Sequence, residues 1–257
     1  MMDIYVSLPS NASPDLYPGN TTSKFKTQLS ERVELHGKWQ AALVELHYPN
    51  TIAQVVEGEN EITLHRSTDN ITRTLHVAPG TYTRKNEFLM AVHNSFEPVE
   101  TLPDNRGRDS ILEETSDQTI LLHPFEHNEH TTYTFSPRLA LQLGLSQPGP
   151  FNANRPVFGT KQINISLGMP SQMYVYIDIL AEQIIGHMRA PLLRTVPVDI
   201  TASYGSMTTY RFEKPIYIDL NTKSFDTLKT DIRDHAGRQM PFDFGTSTLL
   251  LHFRQHT

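Results

Sequence analysis

The densest group of side chains able to bind a metal or move a proton is His123, His127 and His130, with Glu126 and Glu129 between them. A structural zinc ion takes four ligands in a tetrahedron, and a catalytic one takes three plus an open position. The stretch His127-Asn128-Glu129-His130 lacks the His-Glu-x-x-His order that sets two imidazoles on one helix face with a glutamate base beside them. Pro124 on one side and Thr131-Thr132 on the other favour a hairpin loop over a helix. These histidines read as solvated loop residues.

The other routes to catalysis are also missing. No His-x-His pair of the kind used by metal-binding jelly-roll enzymes occurs among the twelve histidines, and there is no Gly-x-Ser-x-Gly elbow, Walker A loop or Gly-x-Gly-x-x-Gly turn. The absence of Cys removes disulfides, thiolate metal sites, iron–sulfur clusters and cysteine nucleophiles together. Glu113-Glu114 sits in a polar stretch where two solvated carboxylates are the ordinary outcome. The chain therefore reads as a protein that is not an enzyme, with no catalytic, cofactor-binding or metal-ligating residue to assign. Two charges interrupt apolar runs, Asp178 in Tyr174 to Leu180 and Arg194 in Pro191 to Pro197. An unpaired charge inside a sheet is costly. Two readings stand: they pair across the sheet or a subunit contact, or both face outward into solvent.

Composition restricts the partners. With 38% hydrophobic and 19% charged residues, the 257-residue chain has the makeup of a folded protein. A formal net charge of −6, with Lys and Arg scattered along the chain, argues against direct nucleic-acid binding, which needs a concentrated positive face. The N-terminus lacks the basic and then apolar segments of a secretory signal, and no apolar run approaches the roughly 20 residues of a membrane helix. A soluble protein, made inside the cell and without a membrane span, is expected. The sequons at Asn11, Asn20, Asn70 and Asn164 then read as chance.

The elements that would position any site are mostly strands. Ile4, Val6 and Leu8 alternate with Tyr5 and Ser7, the period of a half-buried strand, and turn formers fill Pro9 to Thr22. A short strand at Phe25 to Leu29 leads to Trp39 through Pro49, where Trp39, Ala41 and Leu43 share one parity and Val44, Leu46 and Tyr48 the other. That strand is expected to be covered on both sides. A strand over Glu61 to His65 follows. Between Thr68 and Leu167 the texture changes. A strand at Ile71 to Val77 precedes a helix capped by Thr83 and carrying Phe88, Leu89, Val92 and Phe96 at helical spacing. A polar loop, strands at Thr119 to His123 and Tyr133 to Phe135, and a short helix from Pro137 to Leu143 stopped at Gly144 come next. From Met173 on, short strands return at Met173 to Leu180, Leu192 to Pro197, Ile200 to Tyr204, Thr208 to Phe212, Ile216 to Leu220, Thr227 to Arg233 and Ser247 to Arg254. Short antiparallel strands joined by tight turns make a sandwich. The fold class is all-β: a single jelly-roll sandwich from residues 1–67 and 168–257, with a small α+β subdomain, 68–167, inserted between its strands.

Trp39-Gln40-Ala41-Ala42-Leu43-Val44-Glu45-Leu46-His47-Tyr48-Pro49 resembles the "W-x-x-ALVE-hydrophobic-x-YP" strand of the minor capsid, or penton, proteins of Polinton (Maverick) elements and the related adintoviruses. Tyr174 to Ile179 with Ile185-Gly186, Ala190 to Pro197, and Gly237 to Phe242 leading to Leu249 through Arg254 fit the same pattern in the same order. Ala181-Glu182 and His187 depart from it, standing where Glu-Pro and an acidic residue are expected, and the middle third carries no motif of the family. The resemblance implies a structural virion protein, one jelly roll per chain, forming homopentamers that plug the icosahedral vertices beside a double-jelly-roll major capsid protein. The loop through Pro18-Gly19 and the insert are then expected to supply contacts to neighbours. The competing reading is a carbohydrate-binding jelly roll, for which Tyr82, Phe151 and Asn152 are the loop residues available.

Overall fold

Backbone pairing brings the two ends of the chain together, with Ile4 opposite Phe253 and Leu8 opposite Leu249. The computed structural model describes residues 3–96, 111–125, 130–199 and 201–256. Its chain divides into one unit made of Met1–Ile52 and Pro170–Thr257 and a second made of Ala53–Met169. The first unit opens with β1 (Asp3–Pro9), β2 (Lys24–Glu34) and β3 (Trp39–Pro49). The second holds β4 (Glu61–Arg66), β5 (Ile71–His76), α1 (Lys85–Phe96), β6 (Leu112–Glu114), β7 (Ile120–Leu122), β8 (Thr131–Phe135), α2 (Pro137–Gln142), β9 (Phe151–Asn152) and β10 (Val157–Phe158). The first unit resumes with β11 (Gln172–Ile177), β12 (Gln183–Ile185), β13 (Met188–Ala190) and β14 (Leu192–Pro197). It ends with β15 (Met207–Arg211), β16 (Ile218–Asp219), β17 (Ser224–Arg233) and β18 (Thr248–Gln255).

In the first unit one sheet runs β1-β18-β3-β15 and the other β14-β11-β17-β2, all antiparallel. Each sheet mixes strands from the start and the end of the chain, and β2 to β3 and β17 to β18 both cross from one sheet to the other. That interleaving is the double Greek key of a jelly roll. The short β16 continues the β15 edge along β3, after a break at Glu213-Lys214-Pro215 that leaves the edge discontinuous.

The apolar sides of the sheets fill the space between them. Leu249, Leu251 and Phe253 meet Leu46, Leu43 and Ala41 across one pair, and Met173, Val175 and Ile177 share the other sheet's inner side with Ile232 and Leu228. Each such fully buried side chain is worth about 1.5–3 kcal/mol. No residue of β3 is exposed and Ala42 on its outer side is fully buried, but the expected division of its residues between the two sides is corrected here. Leu250 pairs with Glu45 and Leu251 with Leu43, so a bulge skips Val44 and reverses the parity of the strand. Trp39, Ala41, Leu43, Leu46 and Tyr48 thereby all belong to one inner side, while Gln40, Glu45 and His47 lie on the other. A second correction concerns Ile200 to Tyr204: the described part, from Thr201, is a turn. Asp199 Oδ1 accepts the Thr201 N–H at 2.9 Å and its hydroxyl at 2.6 Å, a side-chain turn that competes with extension.

The second unit is α+β. A sheet in the order β5-β4-β8-β9 and a smaller one, β10-β7-β6, surround a core in which Phe88, Val92 and Phe96 of α1 meet Phe125, Tyr133 and Phe135. The side chain of Glu87 reaches back to accept the Thr83 N–H, the Thr83 hydroxyl and the Arg84 N–H, closing the first turn of α1. Helix α2 ends at Gly144, where φ is +74° and a Cβ would collide with the Lys161 carbonyl. The boundary at Thr68 moves to Ala53, because β4 pairs with β5 and β8 and so belongs to the insert. On the C-terminal side the division falls between Met169 and Pro170, two residues beyond the expected one.

Candidate assembly surfaces

Among the described residues, those with the best claim to chemistry do not converge. His123 Nε2 lies 2.8 Å from Glu113 Oε2 on the paired strands β6 and β7 and their ends, while Glu126, His127 and Glu129 fall outside the described residues. His130 starts the turn into β8, and its carbonyl accepts the Ser67 N–H at 2.9 Å. Among the described residues no three His, Asp or Glu side chains are gathered as a metal would need. Asp178 and Arg194 are not paired. Asp178 is exposed and its Oδ1 accepts the Lys229 N–H at 3.0 Å. Arg194 sits opposite the buried Val175 and points between the sheets, with its guanidinium 4.5 Å from the Phe212 ring centre. A cation over an aromatic face replaces the ion pair.

The residues available for a sugar site are likewise committed elsewhere. Tyr82 donates its hydroxyl to the Ala78 carbonyl and meets Phe88 edge-on at 5.8 Å, and burial pushes its pKa up. Phe151 packs on Tyr133 and Phe135 at 5.6 and 6.4 Å, leaving only Asn152 exposed.

What the first unit does present is apolar surface on its connections. Between β11 and β14 the hairpin β12–β13 turns through Gly186-His187, with Gly186 at φ +59°, the left-handed value wanted at the first centre of a two-residue turn. Its Ile184 is 76% exposed and Met188 54%. Beside it, Tyr176, Met188, Pro191 and Arg233 line a hollow of about 230 Å³. Asp231 Oδ2 accepts from Arg233 Nε and Nη2 at 3.0 and 2.7 Å, which holds Arg233 above its ordinary pKa and fixes its charge beside Tyr176. Asp178, Lys229 and Asp231 also line it, so that the hollow suits an apolar side chain capped by a polar group.

A second exposed group lies on the β14–β15 and β17–β18 connections. Tyr204 and Phe244 meet edge-on at 5.8 Å, and Met207, opposite Pro49, is exposed nearby in the chain. The close approach depends on Gly245, whose φ is +105° and where a Cβ would stand 2.6 Å from Pro49 Cβ. The long loop after β1 is tied down: Asn20 Nδ2 donates to the Ala12 and Lys26 carbonyls, and Asn20 Oδ1 accepts the Lys26 N–H. The sequon amide is thus a structural clamp. No local pattern marked Ile184, Met188, Tyr204 or Phe244 in advance, since an apolar residue in a strand reads the same whether it is covered or not.

No protein-family model matches the sequence, and neither does any curated protein. The solved structures do. The mavirus penton protein superposes with a TM-score of 0.53 at 9% identity, covering 99% of this chain and 100% of that one. The chain has the fold of the mavirus penton protein. Sputnik virophage, whose structure was determined by cryo-electron microscopy, contributes a second chain at TM-score 0.46 and 11% identity, covering 98% of each. The penton fold accounts for the whole length, the inserted second unit included. Among the described residues no helix is long and apolar enough to cross a membrane.

Proposed function

We propose that the chain is a minor capsid protein, the penton of a Polinton-like virus or element, which closes into a homopentamer at the icosahedral vertices and acts by assembly without catalysis. The observation that carries this reading is the end-to-end agreement with a penton fold at single-jelly-roll size. The exposed apolar connections supply what such a subunit requires. In a ring, one side of each copy docks on a different side of the next, and each contact needs roughly 1,000 Å² with an apolar centre. Ile184 and Met188 on the hairpin, and Tyr204 with Phe244, are apolar side chains placed outside the core. In the virion the neighbour beyond the ring is the double-jelly-roll major capsid protein.

The test is co-expression with that major protein. Shells purified from the pair are expected to carry this chain at their vertices, and shells made with an Ile184→Asp, Met188→Asp variant to lack it. Shells closed at all vertices without the chain would overturn the assignment.

A further inference from the structure

On the outer side of the β14-β11-β17-β2 sheet, Lys229 of β17 stands directly opposite Lys26 of β2, and Lys24 follows two residues before Lys26 on the same side of the strand. Like charges directly opposite in paired strands are destabilising. The protein carries this cost although its net charge is −6 and acidic residues outnumber basic ones. Asp231 stands opposite Lys24, and both it and Asp178 are engaged by other groups. Asp231 accepts both hydrogen bonds of the Arg233 guanidinium through Oδ2, and Asp178 accepts the backbone N–H of Lys229 through Oδ1. Among the described residues none of the three ammonium groups makes an ion pair.

The three lysines also share a concavity. Lys24, Lys26 and Lys229 line a hollow of about 470 Å³ whose far wall is the loop through Tyr17 to Asn20. That wall is held in place: Asn20 is bonded to Lys26 through both N–H and carbonyl, Tyr17 donates to Gln28 Oε1 at 3.3 Å, and Lys26 Nζ lies 5.5 Å over the Tyr17 ring. The volume falls within the ~300–1,000 Å³ of small-ligand sites. It suits a compact group far better than a nucleic-acid duplex.

The geometry points to a binding site for a small multivalent oxyanion, a phosphate or sulfate ester, held by Lys24, Lys26 and Lys229 against the Tyr17 loop. Such an anion would neutralise the opposed pair and accept a charge-assisted hydrogen bond from each amine. The site lies within one subunit and holds for a single copy as well as for a ring.

Thermal melting and calorimetric titration of the whole protein in low salt, with inorganic triphosphate in one arm and a sulfated disaccharide in the other, test it. At least one probe is expected to bind with one equivalent per chain and raise the melting temperature; the arm that binds more tightly identifies phosphate or sulfate as the source. Lys26→Gln and Lys229→Gln are each expected to weaken binding by about tenfold, the equivalent of one strong charged contact. Without ligand Lys229→Gln should melt no lower than the parent, since it removes a repulsion. Lys214→Gln, outside the hollow, should bind as the parent does. No binding of either probe, or a loss in Lys214→Gln equal to that in Lys26→Gln, would overturn the site.

Discussion

The jelly roll and the inserted unit place their buried polar groups differently. In the jelly roll Leu43, Leu46, Leu249, Leu251 and Phe253 face inward, and buried polar groups pin its connections: Asp234 accepts the Ala236 and Arg238 amides and the Arg238 guanidinium, and Asn50 and Thr51 donate to the Ala202 and Phe244 carbonyls. The insert places its largest buried polar groups on helix α2 and satisfies them over long spans of sequence. Arg138, with 6% of its side chain exposed, is bonded to Glu59 at 3.0 Å, and Gln142 donates to the carbonyls of Gln54 and Ile165 at 2.9 and 2.8 Å. Asn60 donates to the Val77 carbonyl at 2.7 Å. An apolar interior tolerates exchange of one aliphatic residue for another. Buried polar pairs fix one arrangement, and losing either partner is expensive.

That contrast yields its largest test in a pair of variants. Leu251→Ala should destabilise the jelly roll by about 2–5 kcal/mol through lost transfer energy and a cavity. Glu59→Ala should destabilise the insert by about 3 kcal/mol by stranding the Arg138 charge. Hydrogen exchange resolved by residue should show each loss confined to its own unit; protection lost equally in both would mean that the units do not have separate cores.

Tyr133 sharpens the comparison from the other direction. Its hydroxyl is buried among Phe96, Phe125, Phe135 and Phe151 with no hydrogen-bond partner among the described residues, and burial pushes its pKa far up. Tyr133→Phe should therefore stabilise the insert by about 1 kcal/mol, measured by urea unfolding, because it removes an unsatisfied group and keeps the ring. A loss of stability would place a partner on that hydroxyl.

A surface change should do the opposite of a core change. Ile184→Asp is expected to leave monomer stability within about 0.5 kcal/mol of the parent, as exposed sites do, while abolishing association measured by sedimentation. The smallest effect is electrostatic. The Thr83 hydroxyl, followed by the Arg84 and Thr83 amides, holds the Glu87 carboxyl below its ordinary pKa. A folded value below the unfolded one gives stability that is full above the ordinary carboxylate range and is lost as pH falls through the folded value. The protection of α1 amides, corrected for the intrinsic pH dependence of exchange, should accordingly fall on acidification in the parent, and Glu87→Gln should flatten that dependence.

Much of the jelly roll was legible because its strands have period 2 and its links are turns. The Met173, Val175, Ile177 series and the Leu249, Leu251, Phe253 series landed on the inner sides as their alternation required. Where the sequence misled, a local event had changed the parity or direction of the chain: the bulge at Val44 reversed the second half of β3, and Asp199 turned Thr201 to Tyr204 out of extension. The extent of the insert was misjudged because β4 alternates like any jelly-roll strand, and only its partners, β5 and β8, assign it. Surfaces were least legible. Lys26 and Lys229 come from opposite ends of the chain, and no spacing announces that they are neighbours.

Self-association is the most direct consequence of the proposed role. Mass measurement of the purified protein in solution, with electron-microscopic class averages of the same sample, should give five chains per particle and rings with five-fold symmetry. A strict monomer at high concentration, both alone and in the presence of the major capsid protein, would contradict it.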